Sequence, residues 1–225
     1  MKILIVLSSC DKVPGSDRQT GTWLEEFAAP YYTFLDAGAV ITVASPKGGQ
    51  APFDPASQDD SAQTDATRRL AADPVAQRTL ANTSRLAEIH AQAFDAVFYS
   101  GGLGPVFDLA EDPVSTALIE TLHRLGRPVA AVCHGVAALR LARADEGTPL
   151  IQGRSVTGFS NKEEQAAQGI GVVPFLIEDE LRRLGGRYSS VADWNPHVVV
   201  DGGLITGQNP ASSKMAAQKV LQALS

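Results

Sequence analysis

Apolar and polar positions along the chain fall into two periods. Residues 2–8 form a continuous apolar run rich in Ile, Leu and Val, closed by the polar Ser9, Cys10 and Asp11. Such a run predicts a parallel strand buried on both faces. Similar runs follow at 39–44, 94–99 and 128–133. Between them the spacing is helical. Over 22–37 the apolar positions Trp23, Phe27, Tyr31, Phe34 and Leu35 predict a helix, with a break or kink at Pro30 and a stop at Gly38. Residues 52–65 are polar, hold two prolines and show no period, which predicts a loop. Residues 66–93 predict two or three short helices, one opening at Asp73-Pro74 and another capped by Ser84. Further helices are predicted over 114–125, from 134 to about 144, over 172–184 and over 215–224. A short strand is predicted at 155–158, and a two-strand ribbon over 197–206 turns at Asp201-Gly202-Gly203. Strands alternating with helices predict one α/β domain over residues 1–225, a mostly parallel sheet covered by helices on both faces. In such sheets ligands bind beyond the carboxyl ends of the strands.

Composition narrows the function classes. The chain is 44% hydrophobic, as a globular core requires, and its net charge of −6 comes from interspersed acids and bases. No basic tract is present, so a nucleic-acid partner is not expected. The apolar run at 3–7 is too short for a signal sequence or a membrane span. Two cysteines do not make a disulfide framework, and together with that short run they predict a reducing, cytoplasmic setting. No Cys/His spacing suggests a metal site, and neither a dinucleotide fingerprint nor a phosphate-binding loop is found, so no cofactor is expected.

The stretch 128–139, Pro128-Val129-Ala130-Ala131-Val132-Cys133-His134-Gly135 and on to Leu139, is the strongest candidate for chemistry. A buried strand ends at Cys133 and a small-residue helix starts at or just after His134. So tight a turn projects its central side chain beyond the sheet, in the manner of a nucleophile elbow with Cys in place of Ser. The N–H groups and dipole of the following helix would favour a thiolate. A single Cys in a sheet is, by contrast, most often a small apolar filler.

Other residues converge on that turn. Gly101-Gly102-Leu103-Gly104 follows one strand and Cys133 the next, so the backbone N–H groups of a glycine turn would lie beside the thiol, as an oxyanion hole requires. Glu25 and Glu26 point about 100° apart on a helix, so only one of them can face the centre. Glu163 and Glu164 stand where a loop enters a helix, and one of them is placed either to orient a His side chain or simply to favour the helix dipole. Cys10, Trp194 and His197 either border a cleft or pack, and His90 and His123 lie on predicted helices without a visible partner.

The A-V-C-H-G-V-A-A-L elbow resembles the nucleophile region of the ThiJ/PfpI superfamily, which has the class I glutamine amidotransferase-like fold. The likeness extends to T-G-T-W-L-E-E at 20–26, A-S-P-K-G-G at 44–49, G-G-L-G-P at 101–105, V-T-G-F-S-N at 156–161, V-P-F-L-I-E-D at 173–179 and I-T-G-Q-N-P-A-S-S at 205–213. It is closest to the branch of cofactor-free glyoxalase III enzymes and heat-inducible chaperones. The resemblance implies a flavodoxin-like three-layer sandwich and a homodimer. It implies Cys133 as nucleophile and His134 as the adjacent His. Glu26 matches the acid that contacts the sulfur, and Glu164, with Glu163 one residue away, matches the acid that orients the His. Gly102 and His134 match the oxyanion-hole amides, with Gly101, Leu103 and Trp23 beside the substrate. Leu103 stands where many relatives have His, and Val136 where many have Pro.

The activity so implied is conversion of methylglyoxal or glyoxal to hydroxy acids without glutathione or metal, with removal of early glycation adducts as an associated activity. A stress-related holdase or a cysteine redox sensor is the alternative, and a hydrolase or hydratase acting on another small substrate is a third.

Overall fold

The structure is a computed structural model that describes residues 1–225. Nine strands and eight α-helices follow one another along the chain. β1 (Lys2–Val6), α1 (Leu24–Asp36) and β2 (Val40–Ser45) come first, then α2 (Asp65–Ala71), α3 (Pro74–Ala81), β3 (Ser84–Arg85) and β4 (Ala96–Tyr99). They are followed by α4 (Pro105–Asp108), α5 (Pro113–Arg124), β5 (Val129–Val132), β6 (Ser155–Val156), α6 (Asn161–Ala166) and α7 (Ile177–Arg183). β7 (Arg187–Tyr188), β8 (Val198–Asp201), β9 (Leu204–Gly207) and α8 (Ser213–Ala223) complete the chain. The main sheet has the order β3-β2-β1-β4-β5-β9-β8, and β6 pairs with β7 in a separate two-stranded sheet. Every pair in the main sheet is parallel except β8 with β9.

Alternation along the central strands divides the interior into two layers. Ile3, Ile5, Ala96, Phe98, Ala130 and Val132 point to the face covered by α1, α2, α3 and α8, where they meet Phe27, Phe34, Leu80 and Val220. Leu4, Val6, Val97, Tyr99, Val129 and Ala131 point to the opposite face and meet Leu109 just after α4, Ile119 and Leu122 of α5, and Leu181 of α7. This is the helix-covered, mostly parallel sheet expected from the strand pattern, and the flavodoxin-like three-layer sandwich that the resemblance implies. No helix is long and apolar enough to cross a membrane.

Helix α1 differs from its sequence expectation, and the difference bears on the site. It runs unbroken through Pro30. A proline has no N–H to bond the carbonyl four residues back, which here is that of Glu26. The hydroxyl of Ser100, just past β4, donates to that carbonyl at 2.8 Å. The bond offsets the loss within the helix and ties α1 to the end of the sheet.

Four other expectations are corrected. The helix expected to run to residue 144 is a 3₁₀ segment, Cys133–Leu139, after which the chain turns out into a bridge between Arg143 and Pro149. The helix expected from 172 begins at Ile177, because Pro174 disfavours helical backbone just before it. Ser84 caps no helix; it pairs with Ala44 as part of β3, beside the bridge between Gly49 and Thr83. The loop over 52–65 contains two short 3₁₀ turns, Pro55–Gln58 and Asp60–Ala62, the first capped by the Asp54 side chain. Asp73 and Pro74 do open α3 as N-cap and first helical residue.

Candidate functional site

The site lies beyond the carboxyl ends of β4 and β5, neighbours in the sheet. Cys133 follows β5 directly and adopts φ +55°, a left-handed conformation that costs a non-glycine residue about 1–2 kcal/mol. The strained turn carries its sulfur off the end of the strand, as a nucleophile elbow does. The side chain is almost completely buried.

The glycine turn after β4 packs against this elbow. Gly102 has φ +90°, and a Cβ there would come within 2.8 Å of the Thr22 carbonyl carbon. A Cβ on Gly101 would lie 2.8 Å from the Cβ of Cys133. Only glycine permits both approaches. The backbone amides of Gly102 and His134 both favour the ionised form of the Cys133 sulfur. The Trp23 N–H donates to the Gly101 carbonyl at 3.0 Å, joining the same turn to the start of α1.

That junction fixes Glu26. Its side chain is fully buried, Oε2 accepts the Gly101 N–H at 2.8 Å, and the carboxyl also faces the Cys133 thiol. Oε1 is buried without a hydrogen-bond partner. Glu25, its neighbour, points away and accepts a hydrogen bond from Thr64. Burial pushes the Glu26 carboxyl up to about 8, against the opposing pull of its bonds with Cys133 and Gly101. At neutral pH Glu26 therefore carries its proton.

The thiol departs from expectation. Amides do favour its ionised form, but burial pushes the Cys133 thiol well up, and a Glu26 carboxylate would add to the rise. Cys133 and Glu26 thus form a coupled pair in which both groups do not ionise together near neutrality. A neutral Glu26 takes its charge away from the sulfur and offers an O–H donor in its place.

A second relay approaches the sulfur from the other side. His134 Nδ1 lies 3.4 Å from Sγ, and Nε2 lies 2.7 Å from Glu164 Oε2. The His134 and Glu164 side chains are 5% and 2% exposed, so neither is screened by water. With Nε2–H donating to the carboxylate, the Nδ1 lone pair faces the thiol. Phe159 packs on the imidazole with ring centroids 4.4 Å apart, and Trp194 packs edge-on against Phe159 at 5.8 Å.

The adjacent acids separate cleanly. Ser160 caps α6, its hydroxyl accepting the Glu163 N–H at 3.1 Å while Glu163 Oε2 accepts the Ser160 N–H at 3.1 Å. Glu163 is therefore the capping-box residue, and Glu164, one position on, reaches His134.

These groups border a cavity of about 100 Å³ whose wall includes Trp23, Glu26, Gly102, Leu103, Cys133, His134, Phe159, Glu164 and Trp194. Gly101 lies behind that wall, against Glu26. Leu103, 6% exposed, contributes an apolar surface. Arg18 and Asp54 also border the cavity and went unnoticed in the sequence, because both sit in loops without periodicity. Arg18 donates to the Gln168 carbonyl at 3.3 Å. Cys10 does not border the cavity; its thiol donates to the Lys12 carbonyl at 3.2 Å. His197 meets Ser189 at 3.0 Å and His123 meets Arg154 at 3.3 Å, both away from the site. A larger open groove of about 700 Å³ lies beside α2 and α3, but no Cys, His, Asp or Glu borders it. No group of three or more His, Cys, Asp and Glu side chains is arranged to hold a metal ion.

Comparison with known proteins bears on the whole chain. Glutathione-independent glyoxalase HSP31 of Saccharomyces cerevisiae is 32% identical over 235 residues, covering 99% of this chain and 98% of that protein. Glyoxalase 3 of Candida albicans is 28% identical, again over 99% and 98% of the two chains. Among solved structures, the Rapid Encystment Protein 24 KDa of Francisella tularensis superposes with a TM-score of 0.95 at 32% identity, covering 100% of this chain and 99% of that one. The glyoxalase III structure from Candida albicans superposes with a TM-score of 0.89 at 25% identity, over 99% and 97% of the chains. The DJ-1/PfpI family profile matches residues 20–223. The chain belongs to the DJ-1/PfpI family.

Proposed function

We propose that this protein is a cysteine-dependent, glutathione-independent glyoxalase that converts methylglyoxal and glyoxal to their hydroxy acids. The observation that carries the reading is the position of Cys133 between two proton-handling groups, His134 backed by Glu164 and a neutral Glu26, in a cavity sized for a small dicarbonyl. Relatives named as glutathione-independent glyoxalases over nearly their whole length support it.

The chemistry follows from the geometry. Burial holds the thiol protonated at rest, so attack requires a base, and the His134 Nδ1 lone pair faces the sulfur. As Sγ bonds to the aldehyde carbon, the thiol proton passes to His134, and the carbonyl oxygen becomes an oxyanion beside the amides of Gly102 and His134. The oxyanion takes up a proton to complete the hemithioacetal. Glu164 steadies the imidazolium through the 2.7 Å contact. Removal of the C1 proton gives an enediol, and return of a proton at C2 gives a thioester of lactate. Glu26, with one oxygen fixed by Gly101 and the other unpartnered, is placed to exchange protons with the substrate oxygens. Water then cleaves the thioester, releasing lactate and restoring the thiol. No net oxidant or reductant is needed, because C1 is oxidised as C2 is reduced.

The test is lactate formation from methylglyoxal without glutathione or added metal. Activity in the parent that disappears on Cys133→Ala is the expected result, and an active Ala variant overturns the reading.

A further inference from the structure

Trp194 is held in an unusual way. It is a bulky residue at φ +64°, a conformation that costs of the order of 1–3 kcal/mol and persists only where its surroundings impose it. The surroundings do so here. The Trp194 N–H donates to Glu163 Oε1 at 2.8 Å, and the Asn195 carbonyl accepts from Asn209 Nδ2 at 2.8 Å. Glu163 is fully buried and is itself fixed by Ser160, Gln208 and Asn209. Glu163 thus ties the α6 cap and the segment after β9 to a short surface loop, and the bond it accepts from the Trp194 N–H holds that loop in place. Half of the Trp194 surface is exposed, so core packing alone does not account for its left-handed backbone. The indole instead packs against Phe159 and closes the side of the cavity.

The cavity is small. At about 100 Å³ it falls below the roughly 150 Å³ of an apolar cavity that encloses benzene. We infer that Trp194 is a fixed wall that sets the size limit of the site, admitting two- and three-carbon 2-oxoaldehydes and turning away those with an aryl substituent. The substrate class rests on the glyoxalase reading; the wall does not.

Two measurements separate them. The first is kcat/KM for methylglyoxal and for phenylglyoxal in the parent, in Trp194→Ala and in Trp194→Phe. The phenylglyoxal-to-methylglyoxal ratio is expected to rise about tenfold or more in Trp194→Ala, since even one methylene's worth of space is worth 10-fold or more in such pockets (roughly 10–200-fold). The rise in Trp194→Phe is expected to be smaller. The second is the rate of Cys133 alkylation by iodoacetamide and by N-(1-pyrenyl)maleimide, followed on the Cys133 peptide by mass spectrometry. Removing the indole is expected to accelerate the bulky reagent selectively. Unchanged ratios in both measurements for a folded Trp194→Ala overturn the wall. If that variant does not fold, Trp194→Phe decides by the same ratios. A parent that turns over neither aldehyde defeats the glyoxalase reading, and the alkylation ratio still decides the role of Trp194.

Discussion

Glu163 and Glu164 are consecutive, both buried, and bond in opposite directions: Glu163 gathers the N–H groups of Ser160 and Trp194 with the amides of Gln208 and Asn209, while Glu164 meets only His134. Their substitutions should therefore separate stability from catalysis. Glu163→Ala leaves several buried donors unpaired and is expected to lower unfolding free energy by about 3 kcal/mol, measured by urea denaturation. Glu164→Gln keeps the shape but loses the charge that steadies an imidazolium. It is expected to lower kcat/KM about 100-fold with a much smaller change in stability. Equal effects of the two changes on stability and on turnover would contradict this division.

Glu26 makes stability and activity depend on pH in the same range. Burial raises its carboxyl to about 8 from an ordinary 4.5, so between those values the folded chain holds a proton that the unfolded chain has released. The native state then binds more protons, and stability falls as pH rises. This contribution is complete below about pH 4.5 and lost above about pH 8. Glu26→Gln removes that dependence, and its stability relative to the parent is expected to improve steadily from pH 5 to pH 8.

Loss of the Glu26 proton also places a negative charge beside the Cys133 thiol, which opposes ionisation of the sulfur. The parent's kcat/KM is expected to decline above about pH 8, and the decline should be missing from the profile of Glu26→Gln. A declining limb retained in that variant would assign the ionisation to another group.

Pro30 and Ser100 form a compensating pair. The carbonyl left free by Pro30 is bonded by Ser100 at 2.8 Å, and the same carbonyl belongs to Glu26. Ser100→Ala is expected to cost about 1–2 kcal/mol in the parent and clearly less in a Pro30→Ala background, where the helix supplies its own N–H. A double-mutant cycle reads the difference. Additivity of the two changes would show that the hydroxyl and the proline act independently.

The sheet and the elbow were readable in the sequence because their signals are local. Uninterrupted runs such as residues 2–8 mark buried parallel strands, and a strand ending at Cys133 before a Gly-containing small-residue turn marks the candidate nucleophile. The division between Glu25 and Glu26 followed from their angular separation, and the outcome was fixed by Gly101 across the sheet end. Signals that depend on distant partners were not readable. Nothing near Pro30 announces Ser100, so an intact helix read as a kinked one. Periodicity does not show that Asp54 or Arg18 borders the cavity, since loops have none. The resemblance had already matched Glu164 rather than Glu163, and the Ser160 capping box supplies the physical reason: it occupies the first acid and leaves the second free to reach His134. The expected thiolate failed for a related reason: helix-opening amides are visible in sequence, whereas the depth of burial around Cys133 is a property of the whole fold.

The central claim is that the Cys133 sulfur forms the covalent bond to an aldehyde substrate. The most direct measurement is lactate produced from methylglyoxal, in the absence of glutathione and with a chelator present, by the parent and by Cys133→Ala with matched circular dichroism. Steady turnover by the parent is expected, and none above the uncatalysed rate by the variant. Turnover by the variant, or none by a folded and reduced parent, would contradict it.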